Sequence, residues 1–207
     1  IFSSERFTGL DRVESGIRVN FGFKSSIDLN DYGVIDALIG RTWRPDTPQK
    51  DFIKGTGLDK KFSNVVGNIK YNISNNLKFD YSFSKDSLDL RSQRDTFSLD
   101  LNMDPFSSNL NYTMVRDDPN PSSNVPSNSE QALVSVNWNI SDNWSTNLTQ
   151  SRDFVGTNSG DAIFSKANIQ FLNECIKINI SAERNHRDMI DVPDATTFSI
   201  TFELVGF

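Results

Sequence analysis

Apolar and polar residues alternate along most of this chain. Ile17, Val19, Phe21 and Phe23 are interleaved with Arg18, Asn20, Gly22 and Lys24. A period of two puts the two sets on opposite faces of a strand. The pattern returns at Ile35, Ala37 and Ile39, within a strand from about Tyr32 to Trp43. It recurs at Val65–Ile73, Leu77–Phe83, Phe97–Leu101, Leu110–Met114, Ala132–Trp138, Trp144–Leu148 and Ala167–Phe171. The last two stretches are the most regular. Ile176, Ile178, Ile180 and Ala182 alternate with Lys177, Asn179, Ser181 and Glu183, and Phe198, Ile200, Phe202 and Leu204 with Thr197, Ser199, Thr201 and Glu203. No stretch carries apolar residues at i, i+3, i+4 and i+7. The pattern therefore predicts an all-β chain of about eleven strands. Residues 1–16 show no period and read as a lead-in segment.

A soluble sandwich and a transmembrane barrel can both alternate in this way, and two features separate them. The first is what stands opposite the apolar stripe. Lys78, Asp80, Asp100, Asn111, Asn137, Lys166, Asn168, Lys177, Asn179 and Glu183 all fall mid-strand. In a wide barrel they face a hydrated lumen. The second is the connections, which run short, long, short, long without a break. The expected short ones are Ser25–Asp31, Ser74–Asn76, Asp104–Ser107, Ser141–Asp142 and Asn173–Glu174. The expected long ones are Arg44–Phe62, Lys85–Arg94, Asp117–Ser129, Val155–Asp161 and about His186–Pro193. Greek-key sandwiches give no reason for such alternation, whereas outer-membrane barrels have short periplasmic turns and long outer loops. Trp43, Trp138, Trp144, Tyr71, Tyr112 and Phe171 near strand ends suit an interfacial aromatic girdle. The expectation is an antiparallel up-and-down transmembrane β-barrel.

The same alternation assigns direction. The last strand follows a long loop and ends in the periplasm, and the first runs the same way. An odd number of strands results, while bacterial single-chain barrels have an even number. The chain is thus expected to be the C-terminal portion of a larger barrel. The absence of an initiating Met and of a signal peptide fits that expectation.

Composition narrows the classes further. The 207 residues carry a net charge of −6, which argues against nucleic acid as a partner, since that calls for a basic patch. Nothing approaches the roughly 20 apolar residues of a membrane-spanning helix. The single cysteine, Cys175, is either a buried thiol or has its partner outside this chain. His186, the one histidine, sits in an expected outer loop beside Arg184 and Arg187 without a catalytic constellation. Asp117-Asp118 lacks the fuller oxygen-ligand spacing of a calcium site. No catalytic, cofactor-binding or metal-binding set is expected, and function must come from the shape of the barrel. By residues alone, a passive porin or receptor and a soluble secreted β-rich binding module remain alternatives.

Two segments resemble a known family. Gly9-Leu10-Asp11-Arg12, followed by a strand holding Asn20 and Gly22, resembles a Gly-x-Asp-Arg segment within the barrel of the LPS-assembly family LptD (OstA or Imp). Glu174-Cys175 resembles that family's paired-cysteine position, and Ser199–Phe207 its closing strand. The resemblance extends over residues 1–207 and implies a barrel of about 26 strands, even in number. It implies assembly of lipopolysaccharide into the outer leaflet of the Gram-negative outer membrane, without enzymatic chemistry. Its implied partners are lipopolysaccharide, outer-membrane lipid, periplasmic Lpt bridge proteins and a plug lipoprotein like LptE. It also implies a lateral seam, one side of which would be the last strand with Phe198, Ile200, Phe202 and Leu204. Glu174 replaces the first cysteine of the pair, so at most one disulfide, from Cys175 to a missing N-terminal region, is implied. Phe207 falls outside the apolar register, and the strand is expected to end near Val205.

Overall fold

A strand persists for as long as its backbone groups find ladder partners, whether or not its side chains are apolar. This decides where the alternating stretches begin and end. The computed structural model describes residues 17–45, 60–116, 128–155, 160–186 and 195–205. The lead-in 1–16 with Gly9, Asp11 and Arg12, the Asp117-Asp118 pair and Phe207 lie outside the described residues.

Eleven strands follow one another: β1 (Val19–Asp28), β2 (Val34–Trp43), β3 (Val65–Asn72), β4 (Leu77–Lys85), β5 (Ser92–Met103), β6 (Phe106–Val115), β7 (Ser129–Asn139), β8 (Trp144–Asp153), β9 (Ala162–Leu172), β10 (Ile176–Asn185) and β11 (Ala195–Leu204). They form one sheet in chain order, each hydrogen-bonded to its sequence neighbours. This is the up-and-down order of a transmembrane barrel wall. A single 3-10 turn, Asn30–Tyr32, is the one helical element among the described residues, and no helix there is long and apolar enough to cross a membrane.

The strands outrun their apolar stripes. Ser25 and Ser26, expected in a turn, pair with Ala37 and Asp36 inside the β1–β2 ladder. Ser92, Gln93 and Arg94, expected in a loop, open β5. The stripe of β8 ends at Leu148, but the strand runs on to Asp153, and β9 starts at Ala162, five residues before Ala167. Most of the extra length lies at the ends joined by longer connections. The alternation of connection length survives these shifts. The short connections are 29–33, 73–76, 104–105, 140–143 and 173–175; the long ones are 44–64, 86–91, 116–128, 154–161 and 186–194. We call the two edges of the strands the short-turn end and the long-loop end.

The chain divides into two compact units. One comprises Ile1–Tyr71, Asp80–Thr96 and Met114–Asn128; the other comprises Asn72–Phe79, Phe97–Thr113 and Ser129–Phe207. In the first, Gly67 on β3 is buried beneath the ring of Phe83 on β4. Thr42 is the most enclosed side chain; its backbone N–H donates to Ser63 Oγ (2.8 Å) and its hydroxyl to Asn20 Oδ1 (2.8 Å). In the second, β8 to β11 pair in register, with one shift between Ser151 and Arg152 where β8 meets β9. Leu148 faces Ala167, Ala167 faces Ala182 and Ala182 faces Phe198. A slip of one residue would send every one of these side chains to the opposite face.

A soluble domain of this length would bury a core of Leu, Ile, Val and Phe. Among the described residues no apolar side chain is buried, while Thr42, Arg44, Ser63, Asn64, Asp95, Ser151 and Asp153 are. The enclosed side chains are polar while many large apolar ones are exposed, the inverse of a water-soluble protein. That inversion suits a sheet whose apolar face meets lipid.

Candidate functional site

The face opposite the apolar stripe is a network of paired polar side chains. In the first unit, Asn68 Nδ2 donates to Asp80 Oδ1 (2.6 Å) and Ser82 Oγ (2.8 Å), and Lys70 Nζ lies 3.5 Å from Asp80 Oδ2. In the second, Asn109 donates to Asp100 (2.6 Å) and Asn111 to Ser98 Oγ (2.8 Å). Asn147 donates to both Asn137 Oδ1 (2.6 Å) and Ser135 Oγ (2.9 Å). Toward the last strand, Lys166 pairs with Glu183 (3.2 Å), Lys177 with Glu203 (3.3 Å) and Ser181 with Ser199 (2.7 Å). Most of the mid-strand polar residues singled out from the sequence take part. These short amides, hydroxyls and ion pairs hold one another in place across the ladders. Each amide and carboxylate keeps further hydrogen-bonding capacity toward water or a hydrated saccharide.

The other face carries the closing strand. Phe198, Ile200, Phe202 and Leu204 are 76%, 74%, 61% and 59% exposed, against 47% for Ile180, their neighbour on β10. The difference arises because, among the described residues, β11 has a strand partner on one side only, β10. The four residues stand directly opposite Ala182, Ile180, Ile178 and Ile176. The structure thus gathers them into one exposed stripe at the edge of the sheet.

Aromatic rings gather near strand ends. At the short-turn end of the second unit, Phe106 stacks on Trp138 (centroids 5.5 Å apart) and Trp144 tilts against Phe171 (5.0 Å). In the first unit, the Tyr71 hydroxyl donates to the Tyr32 carbonyl (2.8 Å). Such rings, half apolar and half polar, suit the boundary between hydrocarbon and water.

Sequence patterning overlooked two acids in the apolar register near the long-loop end. Asp95 is buried and accepts hydrogen bonds from the Tyr81 hydroxyl (2.7 Å) and from Ser92. Glu130 accepts from the Tyr112 hydroxyl. The available signal was an acid two residues ahead of an apolar stripe, Asp95 before Phe97 and Glu130 before Ala132. A tyrosine on a nearby strand supplies the donor that each acid needs there.

Cys175 is exposed in connection 173–175, so it is not the buried thiol that was one alternative. Its N–H donates to Asn173 Oδ1 (3.0 Å) and its carbonyl accepts from Val205 N–H (2.8 Å), which fixes it at the short-turn end of β11. His186 is exposed at the opposite end, with Nε2 3.1 Å from Ser165 Oγ. In connection 86–91, Asp86 Oδ2 lies 2.8 Å from Lys60 Nζ, and Oδ1 accepts from Leu88 N–H (2.8 Å). The Lys60 hydrogen bond, with help from Leu88, holds the Asp86 carboxyl below the usual aspartate range. Among the described residues no group of three or more His, Cys, Asp and Glu could hold a metal ion.

Residues 1–144, more than half of the chain, match the family LPS transport system D, LptD. No curated protein matches the chain significantly. With its up-and-down strands, exposed apolar face and this match, the chain belongs to the LptD family of outer-membrane proteins that act in LPS transport.

Proposed function

We propose that this chain supplies eleven strands to the wall of a larger barrel that delivers lipopolysaccharide to the outer leaflet. The observation that carries the proposal is the inverted sheet, an exposed apolar face backed by a hydrogen-bonded polar one. The polar face lines a hydrated lumen, and the saccharide of lipopolysaccharide moves along it by exchanging hydrogen bonds with water and amides. The apolar face meets lipid. Short turns lie in the periplasm and long loops outside the cell, as in outer-membrane barrels generally.

Among the described residues β1 and β11 each have a single neighbour in the sheet. Lipid does not tolerate unpaired strand edges, so both pair with further strands of the intact protein. The stripe Phe198, Ile200, Phe202 and Leu204 forms one side of a seam through which acyl chains leave. Cys175, exposed in its short turn, forms a disulfide to a periplasmic segment of the same protein, in a compartment that favours such bonds. Periplasmic bridge proteins and a plug lipoprotein complete the pathway. No step needs a nucleophile or a cofactor, since the chain acts as a conduit.

Depletion of the full-length protein in its own bacterium tests this. Newly made lipopolysaccharide is expected to vanish from the cell surface and accumulate inside the envelope. Undiminished surface lipopolysaccharide would refute the transport role. Non-reducing electrophoresis is expected to show a mobility shift that Cys175→Ser abolishes.

A further inference from the structure

Cations are sorted by type in the second unit. Its three lysines, Lys78, Lys166 and Lys177, are in the polar register, and two of them pair with Glu183 and Glu203. Its two described arginines, Arg152 and Arg184, are in the apolar register instead. Each stands one residue from the long-loop end of its strand, on β8 and β10 respectively. A cation on the lipid face costs about 2–4 kcal/mol at the bilayer midplane and about 0–1 near the interface. Their position therefore marks headgroup depth. The choice of arginine matters too, because a planar guanidinium binds phosphate through two parallel hydrogen bonds and an ammonium does not.

A depression of about 560 Å³ on the same face is lined by Arg184, with Arg152 just beyond it toward the long-loop end. It is open to the side, and its apolar walls include Val136, Leu148, Ala167 and Ala182, with Ser165 and Arg184 at its long-loop end. The cause is visible in the register. The row Leu148–Ala167–Ala182 has single-carbon side chains on β9 and β10, where the next row toward the short turns has Ile169 and Ile180. The volume is that of a ligand site, roughly 300–1,000 Å³. Arg152 stands two strands from Arg184 and beyond its row, since Arg184 faces Ser165 and Ser165 faces Gln150; the two backbones are thus more than about 10 Å apart. The Arg152 guanidinium is steadied by Gln150 Oε1 (3.3 Å) and the Gly160 carbonyl (3.3 Å).

We propose that this depression and the two arginines form a binding site for the phosphorylated, acylated end of lipopolysaccharide on the outer surface of the sheet. An acyl chain fills the row of alanines. A phosphate on the saccharide meets Arg184, and Arg152 takes the neighbouring one. A largely apolar trough ending at the Arg184 guanidinium, with Arg152 farther toward the long-loop end, complements one chemical type, an acyl chain attached to an anionic head. The site rests on the membrane orientation and transport role proposed above, which bring that lipid to this leaflet. It is distinct from the lumen, being on the opposite face of the strands. It would hold lipopolysaccharide beside the protein after release.

The test uses the full-length protein in nanodiscs, with bisphosphorylated lipid A and its fully dephosphorylated form as probes. Wild-type protein is expected to bind the phosphorylated form at least about tenfold more tightly, the size of one charge-assisted contact. Arg152→Gln with Arg184→Gln should erase that preference, and Arg152→Lys with Arg184→Lys should restore only part of it. Ala167→Phe should weaken both probes by a similar factor while leaving the preference. Heat-modifiable migration on gels verifies folding of every variant. A phosphate preference that survives the double glutamine variant, or binding indifferent to Ala167→Phe, overturns the site. Both outcomes are read from binding, so they stand apart from the depletion assay on which the transport role depends.

Discussion

Replacing Gly67 by alanine tests whether the lipid-facing surface is packed as tightly as its geometry states. A Cβ at this position would lie 3.0 Å from the Leu38 carbonyl oxygen and 2.6 Å from Cε1 of Phe83, closer than real carbon contacts. The ring must therefore swing away. Doing so disturbs its contact with Tyr81 (5.7 Å between centroids) and with the Lys85 ammonium above it (5.8 Å). Overpacking of this kind costs about 1–3 kcal/mol, and the lower chain entropy of alanine in the unfolded state returns about 0.5–1. Gly67→Ala should thus lose about 1–2 kcal/mol. Phe83→Ala removes the obstructing ring, and in that background Gly67→Ala should cost clearly less, leaving only its close approach to the Leu38 carbonyl. The coupling between the two is then about 1 kcal/mol or more, within the range for residues in contact. Urea titration of the full-length protein, folded in detergent and followed by heat-modifiable migration, gives the four midpoints. An equal cost for Gly67→Ala with and without Phe83 would show that the ring does not press on the glycine.

Three further outcomes follow from the same geometry. Ile180→Lys, in the lipid-facing stripe of β10, should destabilise the folded protein by about 2–4 kcal/mol, whereas Ser181→Lys on the polar face should be tolerated; equal effects in a urea titration would refute the assignment of faces. Lys177→Glu should weaken the β10–β11 pairing by about 0.2–1 kcal/mol, the worth of an exposed pair, and Lys177→Glu with Glu203→Lys should recover it, which hydrogen exchange of β11 can follow. Because Lys60 depresses the Asp86 carboxyl, that contact contributes stability above the ordinary aspartate range and loses it as pH falls through the lowered value. Proteolysis of connection 86–91 should therefore accelerate in acid for the wild type, and Asp86→Asn should remove that pH dependence.

Existence, order and facing of the strands were legible because a period of two leaves few alternatives. Ile178 and Lys177 cannot share a face in any extended chain. Strand ends were not legible, for a physical reason. The apolar stripe records only the depth of hydrocarbon, while the backbone ladder continues into the headgroup layer. Gln150 to Asp153, Arg184 and Asn185 pair as strand but carry polar side chains, so no apolar stripe marked them. The acids Asp95 and Glu130 were missed for a related reason, since their partners Tyr81 and Tyr112 lie on other strands. The arginine site depends on adjacency across three strands, which no linear pattern displays. Cys175 was visible as a residue, but its exposure follows from the tight turn that Asn173 holds.

The two ends of the strands differ in chemistry as well as in loop length, and that difference bears on direction. No short connection contains a lysine or arginine; four of the five carry an acid, Asp31, Asp104, Asp142 or Glu174. Every described arginine, from Arg18 and Arg41 to Arg152 and Arg184, lies at or near the long-loop end. A strand edge rich in guanidinium would sit poorly against a neutral boundary but favourably against a leaflet of phosphorylated lipid. Loop length and charge are independent properties of the sequence, and both distinguish the same end of the strands. If the arginines served only solubility, lysine would do as well. Yet Lys70, Lys78, Lys166 and Lys177 are spent on the polar face, three of them paired with Asp80, Glu183 and Glu203. Lys60, Lys61 and Lys85 also lie at the long-loop end, so the sorting by cation type belongs to the second unit, where Lys78, Lys166 and Lys177 keep to the polar register and Arg152 and Arg184 to the apolar one.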